Sequence, residues 1–254
     1  MNATARITLA ETRTELTKLS RVPAYAISTL AFPLAFYWFF GIAMGFGREY
    51  GSTTVATYML ASYGAFGVVG CALFGFGVSL AIERGQGWLD VKRVSPMPPV
   101  AYVVAKVVTS LAFAALVVVV LCAVGAAFGG VRLPPLGWLA LAAALVLGAL
   151  PFCALGLALG AVLPANSASA TINLIYLPMS FASGLWIPYE QLPAFFQRIA
   201  PALPTYHLGQ LALGTFAPDH GSAAAHVAVL LGWAAIGLVV AAFALRRDEG
   251  RTYA

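Results

Sequence analysis

Residues Val107 to Phe128 read VVTSLAFAALVVVVLCAVGAAF, with no charged side chain anywhere in the run. A helix rises about 1.5 Å per residue, so a stretch of this length reaches across the ~30 Å hydrocarbon core of a bilayer. Five further stretches have the same character: Val22 to Phe46, Val55 to Ile82, Leu136 to Leu163, Ala168 to Ile187 and Ala223 to Leu245. The chain is 61% hydrophobic and only 9% charged, whereas soluble domains carry about a quarter charged residues. The charges cluster between the apolar runs, as hydrocarbon demands of groups that are costly to bury in it. The pattern predicts an all-α integral membrane protein with six transmembrane helices. Pro33 and Pro151 fall inside spans, where each removes a backbone donor, and a bend is expected at both.

Basic residues orient the bundle. With both termini cytoplasmic, the inner segments hold Arg6, Arg13, Lys18, Arg21, Arg84, Lys92, Arg93, Lys106, Arg246, Arg247 and Arg251, and the outer ones hold Arg48, Arg132 and Arg198. The opposite orientation would invert that ratio. Before the first span, Ile7, Leu9, Leu16 and Leu19 can share a helical face while Arg6, Glu11, Arg13, Glu15 and Lys18 populate the rest. Residues 1–21 are therefore expected to form an amphipathic interfacial helix. The whole chain, 1–254, reads as a single transmembrane domain. Its first apolar run is too long for the core of a cleaved signal and reads as a retained helix.

The net charge of +5 is explained by topology and anionic headgroups, so membrane lipid is an expected partner and nucleic acid is not. Cys71, Cys122 and Cys153 lie in apolar runs without metal-ligand spacing and read as packing residues. No metal site and no catalytic residue is expected.

Three places depart from uniform hydrophobicity. The cytoplasmic segment 83–96 holds Glu83, Arg84, Gly87, Trp88, Leu89, Asp90, Lys92 and Arg93. Its residues can form a short helix with one apolar and one charged face, and they fit an ordinary solvated loop or a docking element equally. In the fifth span Asn173, Tyr176, Ser180 and Ser183 step by three, four and three and so share a face. That face is either a helix seam or a cargo path, with Tyr58 and Ser62 a weaker pair of the same kind. Residues 188–216 are too proline-rich to span and too apolar for a free loop, which predicts external re-entrant helices between helices 5 and 6. Trp186, Tyr189, Phe195 and Phe196 would form an outer lid at headgroup level.

With these features in this order, the chain resembles the permease subunits of ABC type-2 exporters of the antibiotic-resistance and polyketide-export kind. The resemblance rests on Glu11 to Leu16 with Arg21, Val22, Pro23 and Phe32, Pro33, Leu34, then on Glu83, Arg84, Gly87, Trp88, Leu89 with Ser95, Pro96. Most specific is Ser183, Gly184, Pro188, Gln191, Leu192, Pro193, followed by Pro201, Leu203, Pro204, Thr205, Tyr206. It implies a homodimer, or a pair with a close homologue, each copy docked on an ATP-binding-cassette ATPase through the 83–96 segment. It implies export across the bacterial inner (plasma) membrane, with cargo passing beside the fifth and second spans. Gly85 and Gln86 stand where relatives often carry charge, a departure in the docking segment. The chain has no phosphate-binding loop of the Gly-Lys-Ser/Thr kind, so ATP and Mg belong to the partner.

The missing mid-membrane charge and the many aromatics favour an amphipathic or lipid-like cargo such as a drug, natural product or lipid. A polysaccharide or lipid-linked glycan is the alternative. An ion-coupled carrier would bury an acid or lysine in mid-span, whereas Lys106 sits at an inner end and is expected to snorkel. An intramembrane serine protease of the rhomboid kind would need Ser183 paired with His226, and Phe181 stands where that motif has its first Gly.

Overall fold

The computed structural model describes residues 3–21, 23–94, 97–217 and 220–252. Val22, Ser95 and Pro96, and the side chains of Pro23, Asp90 and Arg93, lie outside the described set. Helix α1 (Ala3–Ser20) is rich in threonine, and its hydroxyls return to carbonyls one turn back, Thr12 to Thr8 at 2.8 Å and Thr17 to Arg13 at 2.8 Å. That satisfies each hydroxyl without breaking the helix. Helix α2 (Pro23–Phe36) contains Pro33 and passes directly into a π-helical turn, Tyr37–Ala43.

A two-stranded hairpin follows, β1 (Glu49–Tyr50) against β2 (Thr53–Thr54), a small departure from an all-helical chain. Thr54 then caps α3 (Val55–Ala72), its side chain accepting from the Thr57 amide at 3.2 Å. A second π-helical turn, Leu73–Val78, joins α3 to α4 (Ser79–Gly85), giving one continuous rod from Val55 to Gly85. Gly87, at φ +75°, reverses the chain into α5 (Trp88–Val94). Helix α6 (Pro99–Phe128) returns across the molecule. The expected fourth span is two pieces, α7 (Pro135–Gly148) and α8 (Leu150–Val162), divided at Ala149 just before Pro151.

Helix α9 (Ala168–Ala182) ends five residues short of the expected span, where Gly184 adopts φ +79° with Tyr189 backbone packed against it. Residues 189–213 form a 3-10 turn (Tyr189–Gln191), α10 (Ala194–Ile199), a second 3-10 turn (Ala200–Ala202) and α11 (Pro204–Leu213). The last element is α12 (Ala223–Thr252).

Among the described residues four helices are long and apolar enough to cross a membrane: Val55–Gly85, Pro99–Phe128, Pro135–Val162 and Ala223–Arg247. The apolar helices Thr29–Ala43 and Ala168–Ala182 are shorter. The α3 rod occupies the centre, apolar on all sides and buried almost throughout, with α2, α6, α7 and α11 packed around it. Helix α8 crosses the π turn of this rod with backbones nearly touching. A methyl placed at Gly156 would stand 2.9 Å from the Ala72 carbonyl, and one at Gly160 would stand 2.6 Å from that of Gly77. Helix α12 packs on α8 and α11 and leaves Leu231, Ile236 and Phe243 exposed, as a lipid-facing helix does.

Candidate functional site

One end of the molecule is organised by a buried ionic hub. Lys106 of α6 is 1% exposed, and its ammonium lies 2.7 Å from Glu15 of α1 and 2.7 Å from Glu83 of α4. The Ser79 hydroxyl is its third partner, so all three ammonium protons are used. The second oxygen of Glu83 accepts from the Tyr102 hydroxyl at 2.7 Å, and Lys18 of α1 also pairs with Glu83. Helical spacing assembles the set: Glu11, Glu15 and Lys18 share one face of α1, Ser79 and Glu83 are one turn apart, and so are Tyr102 and Lys106. Lys106 therefore does not snorkel to water; it turns inward because two carboxylates wait there.

Helix α5 is tied to the same hub. Lys92 meets Glu11 at 2.6 Å, lies 3.8 Å from Glu15 and 3.7 Å from Glu83, and stands 4.3 Å over the Tyr102 ring. Among the described residues three lysines thus face three glutamates. Trp88, Val91 and Val94 of the same helix, spaced three apart, are 54%, 57% and 87% exposed. Arg84, just before the turn, donates to the Leu163 carbonyl at the end of α8 at 2.7 Å. A short helix anchored by Lys92 with an exposed tryptophan and two exposed valines is built to carry a contact.

Above the hub, α2, α3 and α9 enclose a cleft of about 510 Å³. Phe32 and Pro33 form one wall, Phe66 and Gly70 the second, Asn173 and Tyr176 the third, and no lining side chain is charged. The Tyr176 hydroxyl donates to the Phe66 carbonyl at 2.6 Å while the two rings stack at 4.8 Å. Gly70 makes room for that tyrosine, since a methyl there would stand 3.2 Å from its oxygen. An aromatic column continues upward, with Trp186 lying 5.7 Å from Phe66 and 5.0 Å from Phe36. A cleft of this size and lining suits an apolar or amphipathic molecule.

Residues 8–217 match the family model of the ABC-2 type transporter. The chain belongs to that family. It is also 29% identical over 195 residues to a Bacillus subtilis (strain 168) protein named "Putative transport permease YvfS", across 77% of this chain and 79% of that one. The ABC-2 match takes in the hub, α5, the cleft and the segment through α11, and the chain is a multi-pass membrane protein.

Within this ABC-2 chain the fifth-span face divides. Asn173 and Tyr176 line the cleft. Ser180 is buried away from it without a hydrogen-bond partner among the described residues, and Ser183 bonds the Thr205 hydroxyl and, at 2.7 Å, the Met179 carbonyl. Ser183 thus faces α11. Tyr58 packs edge-on against Tyr50 at 4.9 Å, and the Ser62 hydroxyl is buried in α3; neither reaches the cleft.

Of the lid aromatics, Trp186 roofs the column and its carbonyl accepts from Tyr63 at 3.2 Å. Tyr189 donates to the Gln197 carbonyl at 2.9 Å, Phe196 packs edge-on to Phe181 at 5.5 Å, and Phe195 is exposed. Ser183 and His226 are not paired, since His226 is held by His207 and the His220 carbonyl. Among the docking residues, Glu83 and Lys92 point into the hub while Trp88 points out. Sequence reading passed over Glu11, Glu15, Ser79, Tyr102 and Lys106 as a set, although the four-residue spacing on α1, α4 and α6 was a usable signal. It also passed over Gly156 and Gly160, four apart in an apolar run, a recognised close-packing pattern.

Proposed function

We propose that this chain is the membrane-spanning permease of an ATP-driven exporter in a bacterial inner membrane, with both termini cytoplasmic. A separate ATP-binding-cassette subunit, carrying ATP and Mg, docks on the exposed side of α5, and the ionic hub passes its motion to α1, α4 and α6. Two permease copies make the working unit. The cargo is an amphipathic or lipid-like molecule, a drug, natural product or lipid, that enters the cleft walled by α2, α3 and α9. One observation carries the reading: α5 is pinned to the hub by Lys92 and leaves Trp88, Val91 and Val94 exposed. An uncharged cleft favours this cargo class over a glycan, whose hydroxyls need matched polar groups.

Co-expression with its ATPase tests the proposal through Trp88→Ala. Loss of a buried aromatic anchor commonly costs about 2 kcal/mol or more, so ATPase affinity should fall about thirtyfold with membrane insertion unchanged. Unaltered co-purification and cargo-stimulated ATP turnover in this variant would remove α5 from the coupling path.

A further inference from the structure

All three histidines of the chain meet at the end of the molecule opposite the hub. His207 on α11 and His226 in the first turn of α12 are both buried, and their Nδ1 atoms lie 2.8 Å apart. The outer nitrogens face backbone carbonyls: His207 Nε2 is 2.8 Å from the Pro201 oxygen and His226 Nε2 is 2.8 Å from the His220 oxygen. A carbonyl only accepts, so both Nε2 atoms carry protons. Two neutral rings hold one proton each, which would leave two bare lone pairs facing each other at hydrogen-bond distance. A third proton must lie between the Nδ1 atoms. A fourth would set two N–H groups against each other. The geometry fits one net positive charge on the pair, neither none nor two.

We propose that His207 and His226 form a binding site for a single proton, which clamps α11 to the head of α12 and makes that docking sensitive to pH. That the site faces the extracytoplasmic side rests on the topology proposed above. No third ligand makes this a metal site among the described residues. The groups around it are few. Tyr206 lies edge-on to both rings, and Gln210 accepts from His220 Nδ1 at 2.8 Å. Tyr189 packs on Tyr206 at 5.1 Å, Glu190 is engaged by the Tyr50 hydroxyl at 2.8 Å, and Tyr58 lies near the His220 ring at 6.4 Å. Asp219, beside His220 in sequence, lies outside the described residues.

Docking then weakens on both sides of an optimum. Below it, the undocked histidines take two protons while the clamp holds one. Burial already pushes the His207 imidazole below its ordinary value, its Pro201 contact opposes that shift, and the neighbouring His226 reinforces it. Above the optimum, the undocked pair is neutral while the clamp still needs its proton. For two independent imidazoles with the ordinary reference value of about 6.5, about half of molecules hold one proton at pH 6.5 and about 6% do at pH 5 or 8, which sets the expected weakening of docking at roughly eightfold each way.

The test uses the full chain in lipid nanodiscs, with no ATPase or cargo, so it stands or falls separately from the transport reading. Hydrogen exchange of residues 204–213, corrected for intrinsic rate, should show greatest protection near pH 6.5 and several-fold less at pH 5 and 8. In His207→Asn, whose amide can either donate or accept at the Nδ1 position, the alkaline loss should vanish. Nitrogen-15 histidine spectra of the unmodified chain at pH 6.5 should show both Nε2 atoms protonated, a readout that survives if the variant fails to fold. Protection that is flat or monotonic in pH, a bell retained in His207→Asn, or an unprotonated Nε2 at pH 6.5 would each overturn the site.

Discussion

Lys106 has almost no contact with water, and burying an ammonium costs several kcal/mol unless partners replace the lost hydration. Here Glu15, Glu83 and Ser79 replace it. Lys106→Met removes the closest cation of Glu15, leaves Glu83 to Lys18 and Tyr102, and should lower stability by about 3 kcal/mol, read as a fall in the detergent-solubilised melting temperature. Adding Glu15→Gln should recover part of that loss, because the two changes remove one interaction rather than two. A Lys106→Met chain as stable as the parent would show that the hub is not a structural unit. The helical spacing of Glu11, Glu15 and Lys18 was legible in the sequence. That a lysine 91 positions later turns inward to meet them was not, since periodicity along one helix says nothing about which face of another it will meet.

At the level of elements, the tightest contact is α8 against the π turn of the central rod. Its cause is the absence of side chains at Gly77, Gly156 and Gly160. Gly160→Val would drive methyls into the Gly77 carbonyl, 2.6 Å from where a Cβ would lie, and the helices would have to part. A substantial loss of stability is expected, with Gly232→Val, which faces open space, as the harmless control; equal melting temperatures would contradict this packing.

Six apolar helices were readable from run length alone, but their ends and interruptions were less so. Pro33 and Pro151 announce a missing donor, yet neighbours decide whether the helix continues, as through Pro33, or divides, as before Pro151. The hairpin at Glu49–Thr54 left no signal, because two-residue strands are too short to have a period.

Across the whole molecule, the hub and the histidine pair stand at opposite ends of the bundle, with the cleft between them on one flank. Access to that cleft separates the residues of α9. In a chain with Cys71, Cys122 and Cys153 replaced, Asn173→Cys should react with small water-soluble thiol reagents, and Ser180→Cys, fully buried, should not. Equal labelling, or none at Asn173→Cys in any nucleotide state, would take the cleft out of the cargo route. The shared helical face of these residues was visible in the sequence; its division between a cleft and a helix seam depends on α11 covering only the far end.

The π turn at Leu73–Val78 has a rotational consequence. Each residue of an α-helix advances the side chain by about 100° around the axis, and a π turn carries one residue more than the α-helical pattern accommodates. The central rod is therefore keyed like two clock hands on one shaft, with Phe66 set toward the cleft and Glu83 toward Lys106 by that single surplus position. Deleting Gly75 would give a more regular helix of unchanged apolarity and would swing Glu83 about a quarter-turn off its partners. The shortened chain should insert normally and melt earlier, by as much as Lys106→Met does, so a better helix would make a worse protein.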